Sequence, residues 1–338
     1  MEILSVDGGA TKTIAVVYNE DRTILGVGVS GSTNFRNVGI STFKRNMLTA
    51  IKKAEENAHV NRIDEYTFAL AGMKDSKKSS DKIMTILNKI IPNSKISYYN
   101  DGEAGFYSRF PEGKGIVVAP GTGMVAYGMY NGKKERSSGW GWFLDDEGSA
   151  FNIGMKALRE TTKSMDGRDE RSPKFKEFVR NYYGLSADRD LINIIHKSKF
   201  DIRGIALLAK FVSGFAAEGD VVAKEIMNDA SAETANAAIS LYKRLGKPED
   251  IAISGYGGVL RAGEWYWNLI KKRIDDNIGK RKYKVPLYGY EAIIGSIVMR
   301  SISLGFKIGD DEINSLRNQL TKFIVNLNIE DRREYLLL

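Results

Sequence analysis

Short apolar blocks, separated by glycine-rich and polar segments, make up most of the first 100 residues. They predict the order strand, strand, strand, helix, strand, helix, strand, with strands over residues 3–6, 13–18, 23–29, 67–70 and 96–99. Phe43, Met47, Ile51 and Ala54 recur at helical spacing and predict an amphipathic helix that begins at about residue 41. The second helix is expected to begin at Ser80, a favourable N-cap.

The same order of elements begins again at Gly115. A strand ending at Ala119 precedes a glycine-rich loop, and two further strands flank an Asn131-Gly132 turn. The glycine loops at Asp7 and Gly121 lie 121 − 7 = 114 residues apart, about the length of one domain. The pattern indicates an internal duplication whose halves have diverged in sequence. The three strands of the second half are expected over residues 115–119, 125–130 and up to 138.

Between about residues 147 and 247 the pattern becomes helical. Helix starts are expected at Ser172-Pro173 and Ser186, and an alanine-rich helix is expected from Asp220. Strands and helices then alternate once more. The strands are expected over 251–254 and 283–288, and the helices over 291–304 and 311–327.

These elements predict an α/β protein of two domains. The N-terminal domain is expected over residues 1–114 and the C-terminal domain over 115–310, with a helical insertion at about 150–247. A short hinge near Gly113–Gly115 is expected to join the two domains. The C-terminal segment 311–338 is a candidate for folding back on the first domain.

Cysteine is absent and histidine occurs only at His59 and His196, which narrows the possible chemistry. A chain without cysteine has no disulfide, no thiolate nucleophile, no iron–sulfur cluster and no cysteine-based zinc site. Each histidine stands alone in a helical pattern, so we interpret both as ordinary helix residues. Acid–base catalysis is therefore assigned to carboxylates.

Lysine and arginine exceed aspartate and glutamate by 50 − 42 = 8 residues. These cations are dispersed and lack the interleaved aromatic residues of a stacking groove, so no nucleic-acid partner is predicted. A basic surface also favours anionic substrates. No segment approaches the roughly 20 apolar residues that span a bilayer, and no signal-type segment precedes the first strand. We expect a cytoplasmic protein without a membrane partner.

Two predicted strands open into loops of glycine and threonine, Asp7-Gly8-Gly9-Ala10-Thr11-Lys12-Thr13 and Gly121-Thr122-Gly123. Glycine lets the backbone approach an anion closely, and threonine adds a hydroxyl. Each loop taken alone is also compatible with a plain hairpin turn. Two such loops in one chain favour a polyphosphate ligand and hence a nucleotide-using enzyme.

Seven short motifs follow one another along nearly the whole chain: Asp7–Thr13, Ala69–Gly72, Asn100-Asp101, Gly121–Gly123, Gly139–Gly141, Asp146–Ala150 and Ser254–Val259. In this order they resemble the N-acetylglucosamine kinase and BadF/BcrA-type ATPase family of the sugar kinase/Hsp70/actin superfamily. The resemblance implies duplicated ribonuclease-H-like domains, the actin-like ATPase fold, with a nucleotide cleft between the domains.

The resemblance also implies ATP and Mg²⁺ as cofactors. Asp7 is expected to hold Mg²⁺ through water, because this ion keeps much of its hydration shell. The loop around Gly255 resembles the motif that lies against the nucleoside. The residues expected to contact the nucleotide are Asp7, Gly8, Gly9, Thr11, Lys12, Gly121, Thr122, Gly123, Gly255, Gly257 and Gly258.

Asp101 follows the predicted strand over residues 96–99. An Asn-Asp-Gly sequence also suits a simple helix cap or turn. In the family that the chain resembles, the matching aspartate is the catalytic base. It would accept the proton of the sugar hydroxyl and orient that oxygen towards the γ-phosphorus.

The resemblance places a second set of residues at the sugar, namely Asn34, Asn100, Asp101, Gly139, Trp140 and Asp146. Asp146 is also explained by the preference of carboxylates for a helix N-terminus. Arg36 is either a surface charge or a guanidinium that binds the carboxylate of a sugar acid. Met124 and Val125 stand where N-acetylglucosamine kinases tend to have Ser-Asn, so two polar contacts are missing.

The sequence therefore predicts an ATP-dependent sugar kinase that transfers the γ-phosphoryl group to a sugar hydroxyl. Its small-molecule substrate is expected to be 2-keto-3-deoxygluconate, an N-acetylhexosamine or a hexose. Two alternatives stay open: a BadF-type ATPase without an iron–sulfur cluster, and a non-catalytic regulator that senses a nucleotide or a sugar. The resemblance suggests a homodimer.

Overall fold

The first sheet contains the N-terminal strands. The structure, a computed structural model, describes residues 1–74, 76–92, 94–196 and 201–333. Within them the first five strands are β1 Glu2–Gly8, β2 Lys12–Asn19, β3 Ile24–Gly31, β4 Glu65–Leu70 and β5 Lys95–Asn100. They form one sheet in the order β3-β2-β1-β4-β5. The first three strands are antiparallel, whereas β1, β4 and β5 are parallel.

Parallel pairing brings three strand ends to one edge of this sheet. Gly8 of β1 is in register with Leu70 of β4, and Leu70 is in register with Asn100 of β5. The residues at the carboxyl ends, Asp7 and Asp101 among them, therefore lie at the same edge. In open α/β sheets this edge is where ligands bind.

The second sheet repeats the topology of the first. Its strands are β6 Gly115–Pro120, β7 Met124–Tyr130, β8 Lys133–Ser138, β9 Ala252–Gly255 and β10 Lys282–Tyr283. Their order is β10-β9-β6-β7-β8. In chain order, each sheet starts with three consecutive strands; its fourth strand then pairs with the first, and its fifth strand pairs with the fourth. The predicted duplication and the α/β fold class are confirmed, whereas the nucleotide cleft stays a prediction.

Helices cover the sheets and form the insertion between β8 and β9. They are α1 Phe35–Ala58, α2 Lys77–Ile90, α3 Asp101–Tyr107, α4 Ala150–Met165, α5 Pro173–Tyr183, α6 Asp190–Ile195, α7 Ile202–Ala217, α8 Val221–Arg244, α9 Glu264–Ile278, α10 Ile293–Ser303, α11 Asp310–Asn326 and α12 Ile329–Asp331. A 3-10 helix covers Gly258–Ala262. The insertion predicted at about 150–247 consists of α4 to α8.

The cores of the first sheet follow from strand alternation and helix periodicity. On one face, Leu4 and Val6 of β1 pack with Phe43 and Met47 of α1. On the other face, Ile3 of β1 belongs to a cluster with residues of α10 and α11. The predicted stripe of α1 is confirmed, since Phe43, Met47, Ile51 and Ala54 are all buried.

Contacts between residues divide the chain into two compact units, and the division does not follow chain order. The first unit contains residues 1–117, 127–135 and 289–338, and the second contains 118–126 and 136–288. The helix expected over 311–327 is α11 and lies in the first unit. Residues 334–338 of the predicted C-terminal segment lie outside the described part.

Some predicted element boundaries are wrong. The chain first becomes helical at Phe35 and leaves helical geometry at Gly39, where φ is 75°, so the helix predicted from about residue 41 follows a short helical segment that was not predicted. The N-cap of α2 is Ser76 rather than Ser80, because the Ser76 side chain accepts the Ser79 N–H. The helix expected at Ser186 begins at Asp190. The strand expected over 283–288 is limited to β10 and one isolated bridge further on.

Candidate active site

The predicted first phosphate loop is the turn between β1 and β2. The Gly9 N–H donates to the Lys12 carbonyl at 3.0 Å and closes this turn. The loop is also held from outside, because the Ser32 hydroxyl donates to the Gly9 carbonyl at 3.0 Å. A Cβ on Gly8 would overlap the Thr33 hydroxyl, whereas a Cβ on Gly9 would have no atom closer than 4.0 Å. Gly8 is therefore required by packing, and Gly9 leaves open backbone of the kind that an anion can approach.

Asp7 is the buried carboxylate of this loop, and its side chain lies at the end of β1. Burial raises its pKa to about 7; repulsion by Asp101 adds to this rise, and Lys12 opposes it. This electrostatic coupling means that Asp7 and Asp101 lie close enough to influence each other, as the strand register requires. The structure thus brings together three residues that the sequence singled out.

Asp101 is the first residue of α3, directly after β5. Asn100 caps that helix, since its Oδ1 accepts the Gly102 N–H at 2.9 Å and its Nδ2 donates to the Met73 carbonyl at 2.8 Å. The Gly102 N–H also lies 2.9 Å from the Asp101 Oδ1. Asn100 was predicted at the sugar, but its amide is engaged in fixing the corner between β5 and α3.

The predicted second phosphate loop is the turn between β6 and β7. Its carbonyls face the N-terminus of α4, because the Ala150 N–H donates to the Gly121 carbonyl at 2.8 Å and the Phe151 N–H to the Thr122 carbonyl at 3.3 Å. A Cβ on Gly121 would meet only the Gly123 carbonyl, at 3.7 Å. The carbonyls of Gly121 and Thr122 therefore anchor the loop to α4, while the space beside the Gly121 Cα stays open.

Asp146 braces this second loop. Its Oδ1 accepts the Met124 N–H at 3.1 Å, and a Cβ on Gly123 would lie 2.9 Å from its Oδ2. Burial raises the pKa of Asp146 to about 6; the Met124 N–H opposes this, while the charges of Asp145 and Glu147 add to it. Its φ of 71° is uncommon for a residue with a side chain, although aspartate adopts this region more readily than most residues.

The segment between Ser138 and Asp145 forms the predicted sugar loop. Asp145 holds it together, since its Oδ2 accepts the Ser138 hydroxyl at 2.8 Å and the Trp140 N–H at 3.1 Å. Burial would raise the pKa of Asp145, but these hydrogen bonds hold it below its usual value. The Trp140 side chain is 80% exposed and that of Phe143 82% exposed, so the loop presents a large apolar surface.

The predicted nucleoside loop follows β9. Gly257 has a φ of 139°, and a Cβ there would lie 2.7 Å from the Pro120 carbonyl carbon and 3.1 Å from the Gly121 nitrogen. A Cβ on Gly255 would lie 2.7 Å from Leu260, whereas one on Gly258 would meet nothing within 4 Å. The nucleoside loop therefore packs directly on the start of the second phosphate loop.

Two predicted sugar residues lie where α1 begins. Asn34 precedes α1, and its N–H donates to the Ser32 hydroxyl at 3.1 Å. Phe35, the next residue, has its ring near Gly72 at the end of β4 and beneath the Lys82 ammonium, 5.2 Å away. Arg36 is in the first turn of α1, and its side chain lies outside the described part of the structure.

The donor set around Asp7 fits a hydrated Mg²⁺ ion. In the residues that the structure describes, no group of three or more His, Cys, Asp or Glu side chains could hold a metal. Mg²⁺ that accompanies nucleotide phosphates needs only one or two carboxylates and retains several waters. A buried carboxylate beside a second carboxylate, with a raised pKa, is stabilised in its charged form by such a cation.

The sequence did not single out three residues that organise these loops: Thr33, Tyr127 and Asp145. Thr33 packs on Gly8, and its hydroxyl accepts the Thr13 hydroxyl at 2.9 Å. The Tyr127 hydroxyl donates to the Asn100 Oδ1 at 2.8 Å. Of these three residues, only Asp145 had a recognisable sequence signal, because it is adjacent to Asp146. Two neighbouring carboxylates repel each other, so each is expected to need hydrogen-bond donors of its own.

Known proteins are similar to this chain over most of its length. The chain is 25% identical over 303 residues to the N-acetylmuramic acid/N-acetylglucosamine kinase of Clostridium acetobutylicum, which covers 88% of this chain and 97% of that protein. It is 27% identical over 291 residues to the N-acetyl-D-glucosamine kinase of Dictyostelium discoideum, covering 81% and 90% of the two chains.

Solved structures share the fold. A candidate N-acetylglucosamine kinase from Chromobacterium violaceum superposes with a TM-score of 0.73 at 21% identity, over 88% of this chain and 98% of that one. A ROK family glucokinase from Streptomyces griseus, in complex with glucose and AMPPNP, gives a TM-score of 0.59 at 17% identity, over 89% and 99%. The fold is that of the actin-like ATPases.

No helix in the described residues is both long enough and apolar enough to cross a bilayer. The family whose model matches is the BadF/BadG/BcrA/BcrD ATPase family, and the match runs over residues 4–299. This range contains both sheets and every candidate site residue. The chain therefore belongs to the BadF/BadG/BcrA/BcrD ATPase family.

Proposed function

We propose that this protein is an ATP-dependent sugar kinase with Asp101 as its general base. The observation that carries the proposal is the strand register, which brings Asp101 to the same edge of the first sheet as Asp7 of the predicted phosphate loop. Burial, and then repulsion by Asp101, raise the pKa of Asp7. A base close to a phosphate-binding loop is the arrangement that phosphoryl transfer to an alcohol requires. The activities named for the Clostridium and Dictyostelium relatives support it.

In the proposed reaction, Asp101 accepts the proton of the attacking sugar hydroxyl. The sugar oxygen then forms a bond to the γ-phosphorus of ATP, and the bond from that phosphorus to the β,γ-bridging oxygen breaks. ADP leaves with the electron pair of the broken bond. The protein contributes mainly by orienting these groups and by neutralising charge, since the transition state is loose.

Each phosphate loop contributes backbone that a phosphate can approach. The open positions are Gly9 in the first loop and Gly121 in the second, with Gly258 as the open position beside the nucleoside. Lys12 adds a positive charge next to Asp7. A bound Mg²⁺ ion would supply charge neutralisation for the phosphates, with Asp7 holding it through water.

The substrate class that we propose is an amino sugar. The relatives named above, and a glucosamine kinase of Vibrio cholerae that is 22% identical to this chain over 246 residues, are named for amino sugars. Met124 departs from the polar residue that N-acetylglucosamine kinases tend to have, and Arg36 would suit a substrate with a carboxylate. A sugar acid such as 2-keto-3-deoxygluconate and plain hexoses therefore belong in the first substrate panel.

The decisive experiment measures ADP release with the wild type and with Asp101→Asn. The panel contains N-acetylglucosamine, N-acetylmuramic acid, glucosamine, glucose and 2-keto-3-deoxygluconate. We expect sugar-dependent ADP release from the wild type and a loss of about 10²- to 10⁴-fold for the variant, with ATP binding retained. Near-normal turnover by a folded variant would refute the assignment of Asp101.

The same assay separates the alternatives. ATP hydrolysis that does not depend on any sugar would favour a BadF-type ATPase, and ligand binding without turnover would favour a sensor. The requirement for Mg²⁺, the homodimer and the cytoplasmic location stay predictions. Titration of Mg²⁺ in the assay and the mass of the protein in solution test the first two.

A further inference from the structure

The hairpin of β7 and β8 carries a segment that belongs to the first unit. Residues 127–135, its outer part, group with the first unit, whereas the residues on either side group with the second. Two residues of this segment, Tyr127 and Lys134, contact the corner between β5 and α3. Tyr127 lies in β7, four residues after Gly123.

The Tyr127 hydroxyl completes the hydrogen bonding of Asn100. It donates to the Asn100 Oδ1 at 2.8 Å, and the same oxygen accepts the Gly102 N–H at 2.9 Å. The Asn100 Nδ2 donates to the Met73 carbonyl at 2.8 Å. Both ends of this amide are therefore fixed, and with them the orientation of a side chain that is only 8% exposed.

The Tyr127 ring fixes the residue on the other side of Asp101. A Cβ on Gly102 would overlap the Tyr127 ring, so the ring lies directly against this glycine. The Gly102 N–H is shared, because it lies 2.9 Å from the Asp101 Oδ1 as well as from the Asn100 Oδ1. The position of that N–H therefore contributes to the orientation of the Asp101 carboxylate.

A second contact from the hairpin reaches the next acidic residue. The Lys134 ammonium lies 2.7 Å from Glu103, whose other oxygen is 3.5 Å from the Lys74 ammonium. Burial opposes the charge of Lys134, but its hydrogen bond to Glu103 raises its pKa above the usual value. This ion pair is partly exposed and contributes less than the Tyr127 contacts.

We propose that Tyr127 is the positioning residue for Asp101. Its hydroxyl fixes the residue before Asp101 and its ring fixes the residue after it, so a single side chain controls both neighbours of the proposed base. A base must keep its geometry within a fraction of an ångström to act efficiently. The inference rests on the proposed function, since it assigns a role in presenting the base of that reaction.

The first test is Tyr127→Phe, with Tyr98→Phe as the matched control. Tyr98 lies in β5, two residues before Asn100, and its side chain is 40% exposed. Loss of the Tyr127 hydroxyl should lower kcat about three- to tenfold and leave the KM for ATP unchanged. The control should retain wild-type kinetics. Hydrogen exchange at the Gly102 amide should be faster in Tyr127→Phe than in the control.

The second test uses the ring contact. Gly102→Ala should lower kcat about 100-fold, because the added methyl group pushes the corner away from the ring. Gly102→Ala combined with Tyr127→Ala removes the overlap and should recover about tenfold of that loss. No recovery in the double variant would contradict a role for the contact between the Tyr127 ring and position 102.

The outcomes separate this inference from the proposed function. A fall in kcat at constant KM, together with faster exchange and partial recovery in the double variant, supports the inference. Unchanged kcat in Tyr127→Phe overturns it, whatever the exchange shows. If the wild type phosphorylates no sugar, the proposed function fails, and exchange at Gly102 still decides the structural part: equal rates in Tyr127→Phe and the control overturn it.

Discussion

Asp7 shows how one side chain combines structural cost with function. The carboxylate is buried at the end of β1, next to Asp101, and its pKa is raised to about 7. Near neutral pH it is therefore poised between its two protonation states. A positively charged ligand would favour the ionised form, while Lys12 provides part of that effect within the protein. The raised pKa of Asp7 is therefore compatible with the metal-nucleotide site proposed above.

The raised pKa of the buried Asp7 carboxylate predicts how the stability of the protein depends on pH. Because its pKa is raised on folding, the folded protein binds this proton more tightly, and stability falls as pH rises from about 4 to about 7. Asp7→Asn removes this dependence and should increase the free energy of unfolding at pH 8 by about 2–4 kcal/mol. Denaturant unfolding of both proteins at pH 4, 5.5, 7 and 8 measures the difference.

The control for this measurement is Asp21→Asn at the exposed turn between β2 and β3. It should leave the pH dependence of the wild type unchanged. A gain for Asp7→Asn that is the same at pH 4 and pH 8 would contradict the electrostatic explanation, since an uncharged Asp7 and an asparagine differ little.

At the same scale, the sequence identified residues by type but not by partner. Asp101 and Asp146 were predicted as site residues because a carboxylate after a strand or before a helix is a recognisable pattern, and their roles stay predictions. Asn100 was predicted at the sugar, whereas its side chain caps α3 and meets Tyr127. Tyr127 lies 27 residues away along the chain, so no local pattern connects the two.

At the scale of elements, glycines in β3 set the distance between this strand and α1. A Cβ on Gly28 would overlap the Ala50 carbonyl of α1 and lie 2.5 Å from the Ala54 nitrogen. Gly26 makes a similar close approach one turn further along the helix, at Ala54 and Ala58. The helix backbone therefore packs directly on the strand backbone, and both contacts are with atoms that cannot rotate away.

This packing predicts opposite effects for the same substitution at two glycines. Gly28→Ala should destabilise the protein by about 1–3 kcal/mol, because α1 must move. Gly214→Ala, on the exposed face of α7 with nothing within 4 Å, should stabilise it by up to about 1 kcal/mol through helix propensity. Thermal unfolding of the two variants measures this. Equal shifts in Tm would rule out the close approach in β3.

The sequence predicted which elements exist better than where they begin. Apolar periodicity identified strands β1 to β5 and helix α1, because strand alternation and helical spacing are both visible in residues that are close together in the sequence. The start of α2 was misplaced because Ser76 and Ser80 are both good N-caps. In the structure, the Ser76 side chain accepts the Ser79 N–H and so caps the helix. The Ser79 hydroxyl donates to the Gly72 carbonyl. Tertiary contact decided between two equivalent local signals.

At the scale of the whole molecule, the first unit is completed by the end of the chain. Arg300 of α10 is buried against Glu65 of β4, with its Nε 2.8 Å from the carboxylate, and Lys95 binds the same carboxylate. Lys53 of α1 binds Asp331 of α12 at 2.7 Å. Residues more than 200 positions apart in the sequence therefore belong to one compact unit.

Removal of one partner of the buried Glu65–Arg300 pair should lower the free energy of unfolding strongly. Removal of both partners should lower it less. Arg300→Met leaves the Glu65 carboxylate buried with only Lys95 and should lower the free energy of unfolding by about 3 kcal/mol. Glu65→Gln with Arg300→Met removes the stranded charge and should recover part of the loss. Denaturant unfolding of both single variants and the double variant completes the cycle, and strict additivity would contradict this account.

The same pair predicts a loss of stability in acid. Burial would raise the pKa of Glu65, but hydrogen bonds from Lys95 and Arg300 hold it below its usual value of 4.5. A depressed pKa contributes stability above that value, and this contribution disappears as pH falls below it. Glu65→Gln should therefore flatten the stability profile between about pH 5 and pH 3, which unfolding at three pH values measures.

The sequence alone determined the fold class, the duplication and the family, and it predicted the two phosphate loops, since these depend on periodicity and on motifs of adjacent residues. Only the tertiary structure decided which residues act together. The register of β1, β4 and β5 brings Asp7 and Asp101 to one edge, and the hairpin of β7 and β8 brings Tyr127 to their corner. These contacts join distant parts of the chain, and the physical terms that fix them, packing and burial of charge, exist only once the chain has folded.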